Sequence, residues 1–179
     1  MPTHARERLL ETAKELFFAE GIRAVGVEAL LSSSGVGRAS FYRHFDSKDE
    51  LVGEVLKERD RSWRDWLAGA VADRGGTPLD VFDALAEDGT RGGFRGCAFI
   101  NAGAEFADAG SPVHALALAH KRAVTEFVAV LLRDAGYREC DALAEQFMLL
   151  MDGATVTAAR ERSAEPMRRA RAIAAKLLA

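Results

Sequence analysis

Positive charge is concentrated in one short span of the sequence, GRASFYRHFDSK at residues 37–48. Three cations and a histidine share this span with a single acid, Asp46. They are Arg38, Arg43, His44 and Lys48. A local excess of positive charge of this kind attracts phosphate groups. Because the 179-residue chain has a net charge of −3, any such attraction must be local to this span and not a property of the whole molecule.

The elements that position these side chains are predicted to be two short helices joined by a tight turn. Apolar spacing predicts a helix that starts near Val27 and ends at Gly35, and the next helix begins by Gly37. At about 100° per residue, Phe41 and Phe45 point inward in that helix. This arrangement is typical of a helix-turn-helix, whose second helix enters the major groove of DNA.

The opposite side of the second short helix carries Ala39, Tyr42 and Arg43, with Arg38 and Ser40 flanking them. Such a polar and basic strip can contact bases and phosphates. A basic helix face that is only solvated remains the open alternative at this point, because exposed charged faces are common in helical proteins.

Apolar residues recur at helical spacing along almost the whole chain, and no alternating β-branched run interrupts them, so the predicted fold is all-α. Ser47 and Glu50 form a capping-box pattern that starts a long helix. Lys48 lies in its first turn, where a cation opposes the helix dipole, which suggests that an anion contacts it. The other predicted helices cover 5–19, a segment restarting at Thr77-Pro78, the segment CAFINAGAEFAD, 111–136, 141–162 and 166–178.

Other chemistries find little support in the sequence. Cys97 and Cys140 are far apart and lack metal-ligand spacing with any histidine, so we expect no metal site, no cofactor and no catalytic residues. Cys97 follows Gly96 near a predicted helix start and could act as a reactive thiol, although a small apolar role is the simpler interpretation. No apolar run reaches membrane length, and the expected location is the cytoplasm.

The segment AKELFFAEGIRAVGVEALLSSSGVGRASFYRHFDSKDELV resembles the N-terminal domain of the tetracycline-repressor (TetR) family, and the likeness extends over about residues 7–56. The resemblance implies a three-helix DNA-binding domain at 1–46, joined by a long helix to a helical ligand-binding and dimerisation domain at 47–179. It places Arg38, Ala39 and Arg43 toward bases and Ser40, Tyr42, His44 and Lys48 toward phosphates. Val25, Gly26 and Gly37 depart from the usual pattern, which weakens the case for DNA contacts by residues 25–28.

The C-terminal two thirds resembles the family in layout alone, and this layout implies a small-molecule effector. Asn101 and Glu105 are one helical turn apart in an apolar segment, so both are predicted to face inward as polar anchors. An ordinary hydrophobic core is the alternative for the aromatic residues. The predicted pocket residues are Trp63, Trp66, Phe82, Phe99, Asn101, Glu105 and His120.

The resulting hypothesis is a homodimeric repressor, not an enzyme, that binds palindromic double-stranded operator DNA and is released by a small molecule. Two-fold operators require two linked recognition helices, and the last two helices are predicted to supply the interface. The stripe proposed for it is Leu143, Phe147, Leu150, Met151 and Ala154. The alternative function is a helical small-molecule-binding protein or enzyme whose DNA-binding domain is vestigial.

Overall fold

A computed structural model describes residues 4–90, 92–106, 108 and 110–179, and every regular element within these ranges is an α-helix. The all-α prediction is confirmed, and most helix ends fall within two residues of the predicted ones. None of these helices is long and apolar enough to cross a membrane. The helices are α1 (Ala5–Glu20), α2 (Val27–Ser34), α3 (Arg38–His44), α4 (Lys48–Ala72), α5 (Asp80–Asp88), α6 (Ala98–Glu105), α7 (Pro112–Asp134), α8 (Cys140–Glu161) and α9 (Glu165–Leu177).

The chain forms two compact units, and the first is discontinuous in sequence. It contains the described residues up to Asp60 together with Ala98–Ala117, so α6 and the start of α7 pack with the N-terminal helices. The second unit contains the described residues of Arg61–Cys97 and Leu118–Ala179. These packing units differ in extent from the predicted domains 1–46 and 47–179, which describe a division of function and stay a prediction.

The core of the first unit is built from the apolar faces of α1 to α4. Glycine ends two of these helices: Gly21 has φ +98° after α1, and Gly35 has φ +63° after α2, a left-handed conformation that favours glycine. Helices α2 and α3 both pack against α1. The largest fully buried side chains of this unit are Leu9, Leu30, Phe41, Phe45, Leu51 and Leu56.

In the second unit, α9 packs against α5 and α8 around a core that includes Phe82 and Phe147, whose ring centroids are 5.5 Å apart. This packing overturns the predicted dimer stripe on α8. Phe147, Met151 and Ala154 are buried in the core of their own chain. Leu143 and Leu150 are partly buried against the same core.

A different face of α8 is exposed and apolar. Leu149 is 76% exposed and Val156 is 48% exposed, and their seven-residue spacing puts them on one side of the helix. Ile173 and Leu177 are exposed on α9. The sequence shows that α8 is apolar on two sides. Hydrophobic periodicity alone does not say which of the two sides faces the core.

Candidate nucleic-acid interface

The turn between α2 and α3 is held by local hydrogen bonds and one buried side chain. The Val36 backbone N–H donates to the Ser34 hydroxyl at 3.3 Å, and that hydroxyl donates to the Leu31 carbonyl at 3.4 Å. Val36 is buried, and Gly35 before it takes the left-handed conformation. The predicted helix-turn-helix is therefore present, with α3 as its second helix.

The inner side of α3 is aromatic, as predicted. Phe41 and Phe45 are buried, and their ring centroids are 5.9 Å apart. The Arg6 guanidinium of α1 lies 5.6 Å from the centre of the Phe45 ring, within cation–π range. A helix of seven residues is too short to be stable alone, so this packing fixes both its existence and its rotation.

The outer side of α3 carries the residues predicted to face DNA. Arg38, Ala39, Tyr42 and Arg43 are exposed, whereas Ser40 and His44 are half-buried at the edges of the strip. Arg43 forms no ion pair within the described ranges, so its guanidinium is available to a ligand. The DNA contacts of these residues stay a prediction, and their exposure is compatible with it.

Lys48 has a structural role that the sequence argument missed. Its ammonium donates to the backbone carbonyl oxygens of Ile22 at 2.6 Å and Val25 at 2.7 Å, and it lies 6.0 Å from the centre of the Phe17 ring. Burial lowers the pKa of Lys48 from its ordinary value, and the Asp49 carboxylate partly opposes that shift. Lys48 thus ties the loop between α1 and α2 to the start of α4.

Two hydrogen bonds account for the position of Lys48 without any anion, so its place in the first turn of α4 is not by itself evidence for an anion. An ammonium has three donors, and two are used here. Contact between the third donor and a DNA phosphate stays a prediction.

The predicted capping box at the start of α4 is confirmed with one shift in its partner. The Glu50 backbone N–H donates to the Ser47 hydroxyl at 3.1 Å. The Glu50 carboxylate accepts from the backbone N–H of Asp46 at 2.6 Å, one residue before the usual position. The start of α4 is therefore fixed immediately after α3 ends.

Glu105 binds the loop between α1 and α2 in the first unit. Its carboxylate accepts from the Arg23 backbone N–H at 2.7 Å, and it lies 3.3 Å from the point where a β-carbon on Gly21 would stand. Asn101, one turn earlier on α6, is exposed. The prediction that both face inward is wrong for Asn101, which is exposed, whereas α6 turns Glu105 toward the loop.

The aromatic residues predicted to line a pocket are divided between the two units. Trp63, Trp66 and His120 form a cluster in the second unit, with Trp63 centred 5.9 Å from Trp66 and 5.2 Å from the buried His120 ring. Phe82 is fully buried in the core of that unit, and Phe99 is buried in the first unit. The tryptophan–histidine cluster is the part of the prediction that the structure brings together.

One acidic residue near α3 was not singled out from the sequence. Glu28, in the first turn of α2, forms an ion pair with Arg38 at the start of α3. The pairing depends on how α2 and α3 are placed by the turn, so their ten-residue separation gave no direct signal. Arg38 is therefore exposed but already paired.

A second helix with buried aromatic side chains on its inner side and a basic strip on its outer side, preceded by a tight turn, defines a helix-turn-helix unit. Residues 9–55 match the signature of bacterial regulatory proteins of the tetR family. The solved structure of SCO4454, a TetR-family transcriptional regulator from Streptomyces coelicolor, is 33% identical and has a TM-score of 0.87, over 99% of this chain and 91% of that one. The chain belongs to the TetR family of transcriptional regulators.

Curated relatives carry regulator names as well. The HTH-type transcriptional repressor KstR2 of Mycolicibacterium smegmatis is 34% identical over 87 residues, which are 47% of this chain and 40% of that repressor. The chain therefore matches less than half the length of KstR2. The transcriptional regulator AcuR of Cereibacter sphaeroides is 28% identical over 175 residues, which are 91% of this chain and 80% of AcuR.

We predict that Lys48→Met lowers the free energy of unfolding by about 1–3 kcal/mol, because two hydrogen bonds from a charged donor are lost. Lys57→Met is the matched control on the same helix. Lys57 is exposed and bonds only Glu54 among the described residues, so its loss should cost less than about 1 kcal/mol. Urea unfolding followed by circular dichroism measures both. Equal stabilities for Lys48→Met and the wild type would show that the loop does not depend on Lys48.

Proposed function

We propose that this chain is a ligand-responsive transcriptional repressor that binds palindromic operator DNA as a homodimer and is released by a small molecule. In this proposal it acts on DNA in the cytoplasm and performs no catalysis. The observation that carries the proposal is the exposed strip on α3, presented by a helix whose other side is fixed by Phe41 and Phe45. A surface held this rigidly suits recognition of base edges in the major groove.

Base reading is assigned to Arg43, whose guanidinium is exposed and forms no ion pair within the described ranges. A guanidinium reaches the O6 and N7 atoms of guanine with two parallel hydrogen bonds. We expect Arg43→Ala to reduce the discrimination between operator and unrelated DNA by about 1–3 kcal/mol per half-site. The measurement is a binding titration with a duplex enriched by the wild-type chain from a randomised library, compared with a duplex of the same length and base composition in scrambled order.

Tyr42→Phe is the control, because it keeps the exposed ring and removes one hydroxyl that is assigned to a phosphate. It should weaken binding to both DNAs by a similar factor. If Arg43→Ala also weakens both DNAs equally, Arg43 does not read bases. If the wild-type chain enriches no duplex and shows no salt-dependent binding, the DNA-binding function itself fails, and the helical small-molecule-binding protein or enzyme becomes the better hypothesis.

The dimer is assigned to the exposed apolar residues of α8 and α9. A two-fold interface uses the same surface on both copies, so each exposed apolar residue is buried twice. Leu149 is the most exposed of these side chains, and Val156 lies two turns away on the same side of α8. Pairing of these helices across a two-fold axis yields a four-helix interface and links two recognition helices.

We expect Leu149→Glu to weaken the dimer at least about 100-fold, because two buried leucines at about 1.5–3 kcal/mol each are replaced by two charges. Leu118→Glu is the matched control, because Leu118 is an exposed leucine on α7. Sedimentation equilibrium measures the dissociation constant of both variants. A dimer that tolerates Leu149→Glu as well as Leu118→Glu would place the interface elsewhere.

The effector site is assigned to the second unit, at the cluster of Trp63, Trp66 and His120. Two neighbouring tryptophan rings, one of them next to a histidine, offer apolar contact area together with a polar group, which is the usual make-up of a small-molecule site. An effector releases DNA only if it binds the DNA-free conformation better. Going from 1% to 99% free protein requires about 5.5 kcal/mol of that preference.

These two tryptophans are the only ones in the sequence, so their emission reports on this cluster. We expect every small molecule that lowers DNA affinity to change tryptophan emission over the same concentration range. Trp63 is the tryptophan in contact with His120, so Trp63→Phe should remove most of the emission change caused by an effector bound there. Trp66→Phe is the control, and it should retain most of that change. A compound that releases DNA and leaves the emission of the wild-type chain unchanged would place the effector site elsewhere.

A further inference from the structure

The ion pair between Glu28 and Arg38 places a negative charge at the edge of the basic strip on α3. Both side chains are largely exposed, Arg38 at 59% and Glu28 at 73%. Neither charge therefore needs the other as a partner to compensate for loss of water. Arg38 opens α3, and the N-terminal residues of a recognition helix are those that contact base edges. An acid beside such a residue repels the phosphates that the rest of the strip attracts.

A structural reason for Glu28 exists, because a carboxylate in the first turn of a helix interacts favourably with the helix dipole. That reason applies to any acid near the start of α2 and does not require contact with Arg38. The two side chains nevertheless meet across the turn, through one oxygen of Glu28 and the terminal nitrogen Nη2 of Arg38. A guanidinium has five N–H donors, so the remaining edge of Arg38 can still make a two-pronged contact.

We propose that Glu28 is a specificity-determining positioning residue that acts through Arg38. By holding one edge of the guanidinium, Glu28 directs the other edge toward a guanine and keeps Arg38 from settling on phosphates. Long arginine side chains bind phosphates of any sequence, and such contacts raise non-specific affinity. The Glu28 carboxylate suppresses the contact between Arg38 and phosphates. Arg38 then contributes to binding only where a guanine lies within its reach.

This inference rests on the proposed DNA-binding function, and its test is a comparison of specific and non-specific affinity. The specific probe is the duplex that the wild-type chain enriches from a randomised library, and the non-specific probe is a duplex of the same length and base composition in scrambled order. In Glu28→Gln, Arg38 gains a phosphate contact on non-specific DNA. One additional contact releases about 0.9 counterion, which raises non-specific affinity about eightfold per bound protomer at 0.1 M salt.

The expected result for Glu28→Gln is therefore a specificity ratio about eightfold lower per protomer. The slope of log K against log salt on the scrambled duplex should become steeper by about 0.9 per protomer. Glu126→Gln is the matched control, because Glu126 is an exposed acid that also pairs with an arginine, Arg133, in the second unit. It removes the same charge and should change the specificity ratio by less than about twofold and leave the slope unchanged.

Two further variants separate positioning from a general charge effect. In an Arg38→Ala background, Glu28→Gln should no longer change the slope, because the residue through which it acts is absent. Glu28→Asp keeps the carboxylate and should keep the wild-type slope. Thermal unfolding of each variant checks that the chain is folded at the temperature of the DNA-binding measurement.

The outcomes are distinct. The proposal is overturned if Glu28→Gln behaves like Glu126→Gln, or if its effect on the slope persists without Arg38. It is also overturned if Glu28→Gln strengthens specific and non-specific binding equally, since Glu28 would then act only by repelling DNA. If the wild-type chain binds neither probe, the proposed function fails first, and the assignment of Glu28 fails with it.

Discussion

The burial of Phe41 and Phe45 is the constraint on which the recognition surface depends. Seven residues cannot hold a helix in water, because nucleation costs more than so few hydrogen bonds return. The two rings give α3 its stability through tertiary packing, and the same packing fixes its rotation. The residues between the rings are therefore presented in one orientation, with no additional element needed to select it.

Polar contacts complete what the aromatic packing begins. The loop between α1 and α2 has no regular structure of its own, and side chains from two other helices hold it. Lys48 accounts for two of its carbonyl groups, and Glu105 accounts for one of its N–H groups. A donor from α4 and an acceptor from α6 thus act on the same short loop, and each satisfies backbone groups that would otherwise depend on water.

The parts of this structure that the sequence predicted are those with local causes. The rotation of α3 follows from the spacing of its phenylalanines. The start of α4 follows from Ser47 and Glu50, which are three positions apart and meet within one helical turn. The orientation of α6 has a distant cause. Arg23 and Glu105 are 82 positions apart, so no window of helical spacing could show that Glu105 would turn toward Arg23 and that Asn101 would be exposed.

Helix α8 shows a second kind of limit. Leu149 and Val156 recur at the same spacing as Phe147 and Ala154, so two apolar sides compete for the interior. Hydrophobic periodicity identifies the helix but not its inner side, and packing against α5 and α9 decides between the two. For the Trp63 and His120 cluster, the sequence supplied the residue types, and the fold supplied their proximity.

The discontinuity of the first unit has a consequence for its order of synthesis on the ribosome. The N-terminal helices are made before Ala98–Ala117, which complete the same unit. At about 5–20 residues per second, the 45 residues from Asp60 to Glu105 take roughly 2–9 s to make. Helical segments relax in about a microsecond, so the nascent recognition helix spends that whole interval without Glu105 at its neighbouring loop. The unit reaches its final set of contacts only when a segment encoded much later has emerged.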